Sequence, residues 1–490
     1  MKPKSITVRA GAFRCETAPA LIVGRSLLNP ISASILPLQE ALTSRFGATI
    51  SPVSTAGKLP ASSFVLIGLA QDHPALKKLL SDHHAGLPKG GLGTEGYVLE
   101  VTPDHALIVA AKPAGAFYGA LKLLEMDTAT ERAMTIPAGV VVDWPEMAWR
   151  GMHLLVGGRS DLLDLEVLLT RYMPTLRLNQ LILEINYNFQ FKSHPELIDG
   201  DALTADDCRR LKELADKNFV RLIPMINCLG HQSWAETTGR LLKTHPDFDE
   251  TPDAPADNKG IYCRSWCPSN ADVNRLVCDL IDELVDAFRA DAFHVGMDEV
   301  FILGQCARCR GTATAVLFAR AVNDLHAHIV GKRKLQMLMW GDRLLDGKVT
   351  GYGEWEASEN GTHQAIDLIP KDIVVCDWHY ETRYDDVPTT YPSVALFQQK
   401  GMRVWPSAWR SEENVRLMVN ASLQNRTDRM VGYLATTWIG VKPVTGGLAG
   451  DETRMTDKDS SSVAAAIRKG AQMSWEGSPK ATLSIPAVKP

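Results

Sequence analysis

Asp298 and Glu299 follow an apolar run, Phe293-His294-Val295-Gly296-Met297, and are the sharpest chemical signal in the sequence. Adjacent carboxylates at the end of a buried strand repel each other and are partly desolvated. One of them is then expected to hold its proton above the ordinary carboxylate range, as a general acid must. The plain alternative is a solvated Asp-Glu turn, and the apolar run before the pair argues against it. Trp340, Trp378, Trp409 and Trp438 stand at or after four later apolar runs. Aromatic faces stack on the apolar faces of pyranose rings; a single Trp could equally fill a core, but four recurring at run ends suit a sugar. His231 follows Gly230 at another run end, where it could orient a carboxylate, and His294 lies within the run before the pair. His231, His294 and His379 could be drawn with Asp298 as metal ligands, but no His-x-His or His-Glu-x-x-His spacing supports it.

These residues need a scaffold that gathers many strand ends. From Trp149 onward the pattern is strand, loop, helix, repeated, with apolar strand candidates at 152–156, 180–185, 220–226, 291–297, 335–340, 373–378, 402–405 and 431–437. Eight continuous apolar runs are what parallel strands buried on both faces require, so a closed barrel is expected, with its chemistry at the C-terminal strand ends. An open doubly wound sheet is the alternative. The clearest helix spans 271–288, where Val273, Leu276, Val277, Leu280, Ile281, Leu284, Val285 and Phe288 share a face and Ser269 or Asn270 can cap it. A second runs from Ala205 to Asn218, and a last from Ser460 to about Met473, after a glycine-rich loop at 446–450. Before the barrel, runs at 20–23, 64–68, 97–101 and 106–110 and a helix from about Ala114 to Glu125 make a compact α/β unit. The segment near Pro137 and Pro145 reads as its connection to the barrel. The expected fold is α/β: a small α/β domain over 1–145, a (β/α)8 TIM barrel over 146–475 and a Pro-rich tail over 476–490.

Bulk properties narrow the partners. The 490 residues carry a net charge of −5 with 45% hydrophobic and 22% charged residues, an ordinary soluble balance. No basic run suits nucleic acid and no apolar run reaches membrane-spanning length, so neither is an expected partner. Met1-Lys2-Pro3-Lys4 is not followed by an apolar signal region, and the nine cysteines suggest no disulfide framework; a reduced, cytoplasmic setting is expected. Cys263, Cys267, Cys306 and Cys309 could together ligate a structural zinc, but their spacing is looser than a zinc ribbon's, and ordinary reduced thiols are the favoured reading.

The segment from Phe293 to Glu299 resembles the His-x-Gly-x-Asp-Glu signature of glycoside hydrolase family 20, the β-N-acetylhexosaminidases. Trp149-Arg150-Gly151, Leu178-Asn179-Gln180-Leu181, Pro224 with Leu229-Gly230-His231, Trp340-Gly341-Asp342 and Thr437-Trp438 are similar to further strands of that family. Glu95-Gly96-Tyr97 through Gly115-Ala116-Phe117-Tyr118-Gly119 resembles the small domain preceding its barrels. The resemblance implies an exo-acting, retaining enzyme using substrate-assisted catalysis, without metal or organic cofactor. Asp298 would orient the substrate's acetamide and Glu299 would be acid and then base. Arg150 would bind hydroxyls of the terminal amino sugar of an oligosaccharide or glycoconjugate, beside His231, His294 and the four tryptophans. Departures stand at Asn186-Tyr187-Asn188, at Met225 and Asn227, at Trp405 and Trp409 where a tyrosine is expected, and at Gly440 in place of an acid. An exo-glycosidase on an unacetylated sugar, a non-catalytic carbohydrate-binding relative and a metal-dependent barrel hydrolase remain the other readings.

Overall fold

A computed structural model describes residues 1–28, 33–47, 54, 57–129, 133–380 and 391–477. The N-terminal apolar runs form a six-stranded sheet in the order Ser5–Cys15, Met134–Asp143, Tyr97–Val101, His105–Ala110, Phe64–Leu69, Ala20–Val23. Helices Leu36–Phe46, Pro74–Asp82 and Pro113–Glu125 pack on it. Two of its strands correct the expected connection. Pro137 lies inside Met134–Asp143, opposite Ala12. It is tolerated because the neighbour on the other side, Tyr97–Val101, pairs only as far as Gly139 and makes no demand on the missing N–H.

The eight later runs close into a parallel barrel: Trp149–Leu155, Gln180–Glu184, Arg221–Cys228, Ala292–Gly296, Gln336–Trp340, Val374–Trp378, Arg403–Ala408 and Gly432–Ala435. The helix Ala271–Phe288 is capped by Asn270, whose side chain accepts from the Asp272 N–H at 3.0 Å. After the fifth strand only short helical turns follow: Asp342–Leu344, Gly347–Thr350, Gly353–Glu356 and Thr362–Asp367. The glycine-rich stretch expected as a loop is instead the helix Val441–Ala449. Its glycines serve contact: a Cβ on Gly447 would lie 2.4 Å from the Ser460 carbonyl oxygen of the final helix, Ser460–Glu476. The expected tail lies outside the described residues from 478 onward.

Ile182, Ile223, Met225, Leu338, Val374, Trp405 and Leu434 fill the barrel's interior. Trp405 reaches across to Gly151, where a Cβ would meet its ring at 2.2 Å. The small domain meets the barrel at its N-terminal end. Arg150, at 0% exposure, donates to Glu95 at 2.7 Å and to the Arg177 carbonyl at 2.7 Å. Its guanidinium lies 5.0 Å from the ring centre of Trp475 on the last helix. Arg150 therefore braces the two domains and the terminal helix, and does not reach the sugar pocket expected of it. It stands at the start of its strand, and the pocket opens at the strands' far ends. Removing one partner of a buried ion pair strands the other charge and costs about 3–5 kcal/mol. Arg150→Met is expected to lower the melting temperature strongly while leaving the sugar affinity of the folded fraction unchanged. Thermal denaturation beside ligand titration checks this, and a stable variant with lost sugar affinity would return Arg150 to the pocket.

Candidate active site

The strands turn sharply where they leave the barrel. Asn186, Leu229, His231, Met297, Glu299 and Trp438 all adopt positive φ, between 49° and 77°. Such backbone is costly for non-glycine residues and is held by the surrounding structure. Gly296 (φ 66°) starts the turn after the fourth strand, and its missing side chain leaves room for Asn227, whose Oδ1 would lie 2.7 Å from a Cβ there. The turn carries Asp298 and Glu299 over the rim of the barrel.

A cavity of about 880 Å³ opens at this end. Asp298, Glu299, His231, Trp378, Trp409 and Trp438 line it, so six of the sequence-predicted residues converge. His231 Nε2 lies 3.2 Å from Asp298 Oδ2 and 3.2 Å from Glu299 Oε2. The two carboxylates thus share a histidine. Burial alone would lower the His231 pKa, but Asp298 and then Glu299 outweigh it and hold the imidazole well above its usual range. The two carboxyl groups thus favour the cationic form of the ring between them. Asp298 is 4% exposed, and its Oδ1 has no hydrogen-bond partner among the described residues. The Glu299 backbone N–H donates to Asp342 Oδ2 at 2.9 Å, and Arg343 Nε donates to the same oxygen at 2.7 Å. Burial pushes the Asp342 pKa up to about 6, with Arg343 opposing and Asp298 adding to the rise.

Two predicted residues lie beneath the cavity, not along it. Trp340 is fully buried in the barrel, its ring centre 5.4 Å from that of Trp438. His294 is also fully buried, accepts from the Gly296 N–H at 3.0 Å, and is held well below the usual histidine pKa by burial and then His153. They support the floor and touch no ligand space. His379 is likewise enclosed, between Asp377 and Glu356 at 3.0 and 3.1 Å, and so does not join the other histidines as a metal ligand. Among the described residues His231, Asp298 and Glu299 each offer a donor atom within 4.8 Å of the others.

Other residues come from loops without periodic signal. Tyr380, at the end of the sixth strand, enters the cavity where a later tyrosine was expected, and its hydroxyl accepts from Trp438 Nε1 at 2.7 Å. Glu356 accepts from the Tyr380 backbone N–H at 2.7 Å and so fixes that turn. Glu184 collects Asn186 and Asn227 at 3.0 and 2.8 Å and His153 at 3.0 Å, joining strand ends below the carboxylates. Trp234, Tyr262 and Trp355 form an aromatic wall at the mouth: Tyr262 meets Trp355 at 5.1 Å and Trp234 at 5.6 Å between ring centres. Trp234 and Trp355 remain 63% and 57% exposed, which is unusual for such large rings. The signal available in the sequence was aromatic residues standing alone in long, otherwise polar loops.

A barrel of this topology with paired carboxylates over an aromatic floor is the architecture of a glycoside hydrolase. Residues 2–144 match the family description "Glycosyl hydrolase family 20, domain 2" and residues 175–440 match "Glycosyl hydrolase family 20, catalytic domain". The chain belongs to glycosyl hydrolase family 20. It is 25% identical over 274 residues to a lacto-N-biosidase of Bifidobacterium bifidum, covering 53% of this chain and 23% of that protein. It is 24% identical over 324 residues to a β-hexosaminidase of Porphyromonas gingivalis, covering 61% of this chain and 38% of that one. The chain thus spans well under two thirds of the length of either relative. A solved β-N-acetylhexosaminidase of Bacteroides fragilis superposes with a TM-score of 0.67 at 15% identity, covering 98% of this chain and 91% of that one, and so shares its fold.

Proposed function

We propose that the chain is an exo-acting, retaining β-N-acetylhexosaminidase that releases a terminal N-acetylhexosamine by substrate-assisted catalysis. The observation that carries this is the Asp298–His231–Glu299 cluster, with its unpartnered Asp298 Oδ1, above a floor of Trp378, Trp438 and Tyr380. In this reading the terminal sugar stacks on the tryptophan floor. The 2-acetamido N–H donates to Asp298, which turns the acetamide oxygen toward the anomeric carbon. Glu299 protonates the departing glycosidic oxygen as the acetamide oxygen attacks the anomeric carbon, giving a cyclic oxazolinium whose positive charge Asp298 offsets. Glu299 then takes a proton from the water that opens the ring, and the anomeric configuration is retained. His231, 3.2 Å from each carboxyl group, holds both in place, and the first step starts with the proton on Glu299 and the charge on Asp298.

A panel of aryl glycosides tests the assignment. Release of the aryl group from an N-acetyl-β-glucosaminide or galactosaminide is expected. Sugar binding without release would instead mark a non-catalytic carbohydrate-binding protein.

The exposed wall at the mouth suits the sugars beyond the scissile bond. Trp355→Ala is expected to lower kcat/KM for an oligosaccharide by about two- to tenfold, the worth of one aromatic contact, and to leave small aryl glycosides unaffected. Equal losses on both would place Trp355 in support of the catalytic residues.

A further inference from the structure

Behind the catalytic turn lies a second cluster of side chains that the proposed reaction does not use. Cys306 and Cys309 stand on the loop that follows Glu299, and Cys267 and Glu250 on the long excursion between the third barrel strand and the helix Ala271–Phe288. The Sγ of Cys267 lies 3.4 Å from that of Cys309 and 3.3 Å from that of Cys306. One donor atom from each of Glu250, Cys267, Cys306 and Cys309 lies within 4.8 Å of the others. Glu250, Cys267 and Cys309 are 0% exposed and Cys306 is 5%.

The Glu250 carboxylate separates a metal site from ordinary thiol packing. Its Oε1 accepts from the backbone N–H groups of Gly304 and Gln305, the latter at 2.8 Å. Its Oε2 is buried with no hydrogen-bond partner among the described residues. Three cysteines collected only for their apolar character would not enclose an unpartnered carboxylate oxygen, because desolvating it without compensation is expensive. A divalent cation at the centre supplies the compensation. Three sulfurs and one oxygen, all from protein and shut off from water, are the donor set of a closed structural zinc site. Sulfurs at about 2.3 Å from zinc stand roughly 3.8 Å apart on a tetrahedron, so loading requires Cys267 to move only a few tenths of an ångström from Cys306 and Cys309. The sulfurs are much too far apart to be disulfide-bonded, and all nine cysteines are free.

We propose that Glu250, Cys267, Cys306 and Cys309 bind one structural zinc ion that pins the loop after the catalytic pair to the loop after the third strand. The ligand set differs from the four thiols that the sequence offers as its lesser reading, behind ordinary reduced thiols. Cys263 points elsewhere: its Sγ donates to the Glu299 carbonyl at 3.1 Å. The two roles are complementary. The zinc joins residues 250–267 to 304–309, and Cys263, inside the first of these segments, holds the backbone of Glu299. The Cys306-x-x-Cys309 turn is closed by the Cys309 and Arg310 N–H groups donating to the Cys306 carbonyl at 3.1 and 2.9 Å, which presents both thiols to the same side.

Metal content of the full chain, purified from zinc-supplemented medium, tests this independently of its catalytic assignment. One zinc per chain is expected, with near-complete loss in Cys306→Ser and Cys309→Ser, weaker retention in Glu250→Gln, and full retention in Cys15→Ser. Chelation of the wild-type chain is expected to lower its melting temperature. Should the cysteine variants fold poorly, growth in cobalt gives a second readout: wild type and Cys15→Ser acquire intense thiolate-to-cobalt charge-transfer bands, and Glu250→Gln shifts the tetrahedral d–d bands. A metal-free wild-type chain with an unchanged melting temperature after zinc addition, or a disulfide among these cysteines found by mass spectrometry, overturns the proposal.

Discussion

Glu299→Gln is expected to reduce turnover of a glycoside with a poor leaving group by about 10²–10⁴-fold, the ordinary worth of a general acid, with little change in melting temperature. Glutamine keeps the shape of the side chain and can still accept from His231, now 3.2 Å from Glu299 Oε2. The backbone N–H that donates to Asp342 and the carbonyl that accepts from Cys263 are untouched by the change. What is lost is the proton for the departing oxygen. A leaving group that departs as a stable anion needs no such proton, so the loss should be far smaller on a nitrophenyl glycoside than on an alkyl glycoside or a disaccharide. Measuring both classes on wild type and variant separates the roles. If the variant loses the same factor on each, Glu299 is doing something other than donating a proton to the leaving group.

The barrel was readable from the sequence because a strand buried on both faces must be apolar throughout, whatever its neighbours are. Runs such as Leu181-Ile182-Leu183 and Met337-Leu338-Met339 therefore announce themselves. Ser5–Cys15 did not, since its first seven residues are exposed at the sheet's edge, so Ile6 and Val8 mark no buried face. Gly446 and Gly447 misled for a different reason. Composition marks glycine as a loop former, whereas here its missing side chain lets two helices touch. The paired carboxylates Asp298 and Glu299 were legible because they follow a strand, but which face a residue takes inside the barrel was not. His294 lies on the strand that leads to the pocket-lining Asp298 and Trp340 ends the next one, yet both are fully buried beneath the pocket. Arg150 carried the family-like Trp-Arg-Gly context, yet its place at the beginning of its strand put it at the opposite end from the pocket. Glu250 could not have been found at all, because only the folded loop brings it to Cys267, Cys306 and Cys309.

The substrate itself is expected to supply the largest single effect. If the acetamide oxygen is the nucleophile, an aryl N-acetyl-β-hexosaminide should be cleaved far faster than the matching aryl β-hexoside, since a well-placed internal nucleophile is worth about 7–11 kcal/mol of barrier. The structure offers the acetamide two points of support: Asp298, whose Oδ2 is engaged by His231 while Oδ1 is unpartnered, and Tyr380, whose hydroxyl is positioned by Trp438. Asp298→Asn keeps the size of the side chain but removes the charge that offsets the developing oxazolinium, a loss of about 10²–10³-fold. The Asn amide oxygen can still accept from His231 across the same 3.2 Å, so the ring keeps its place. The loss should therefore fall on kcat for the acetamido substrate, with KM changed much less. On an unacetylated glycoside, where no oxazolinium forms, the same variant should cost little more than wild type's own slow rate. Equal wild-type rates on the acetylated and unacetylated glycosides would remove the acetamide from the mechanism. The same carboxylates would then have to work on an external nucleophile, with Asp298 stabilising the oxocarbenium-like transition state directly.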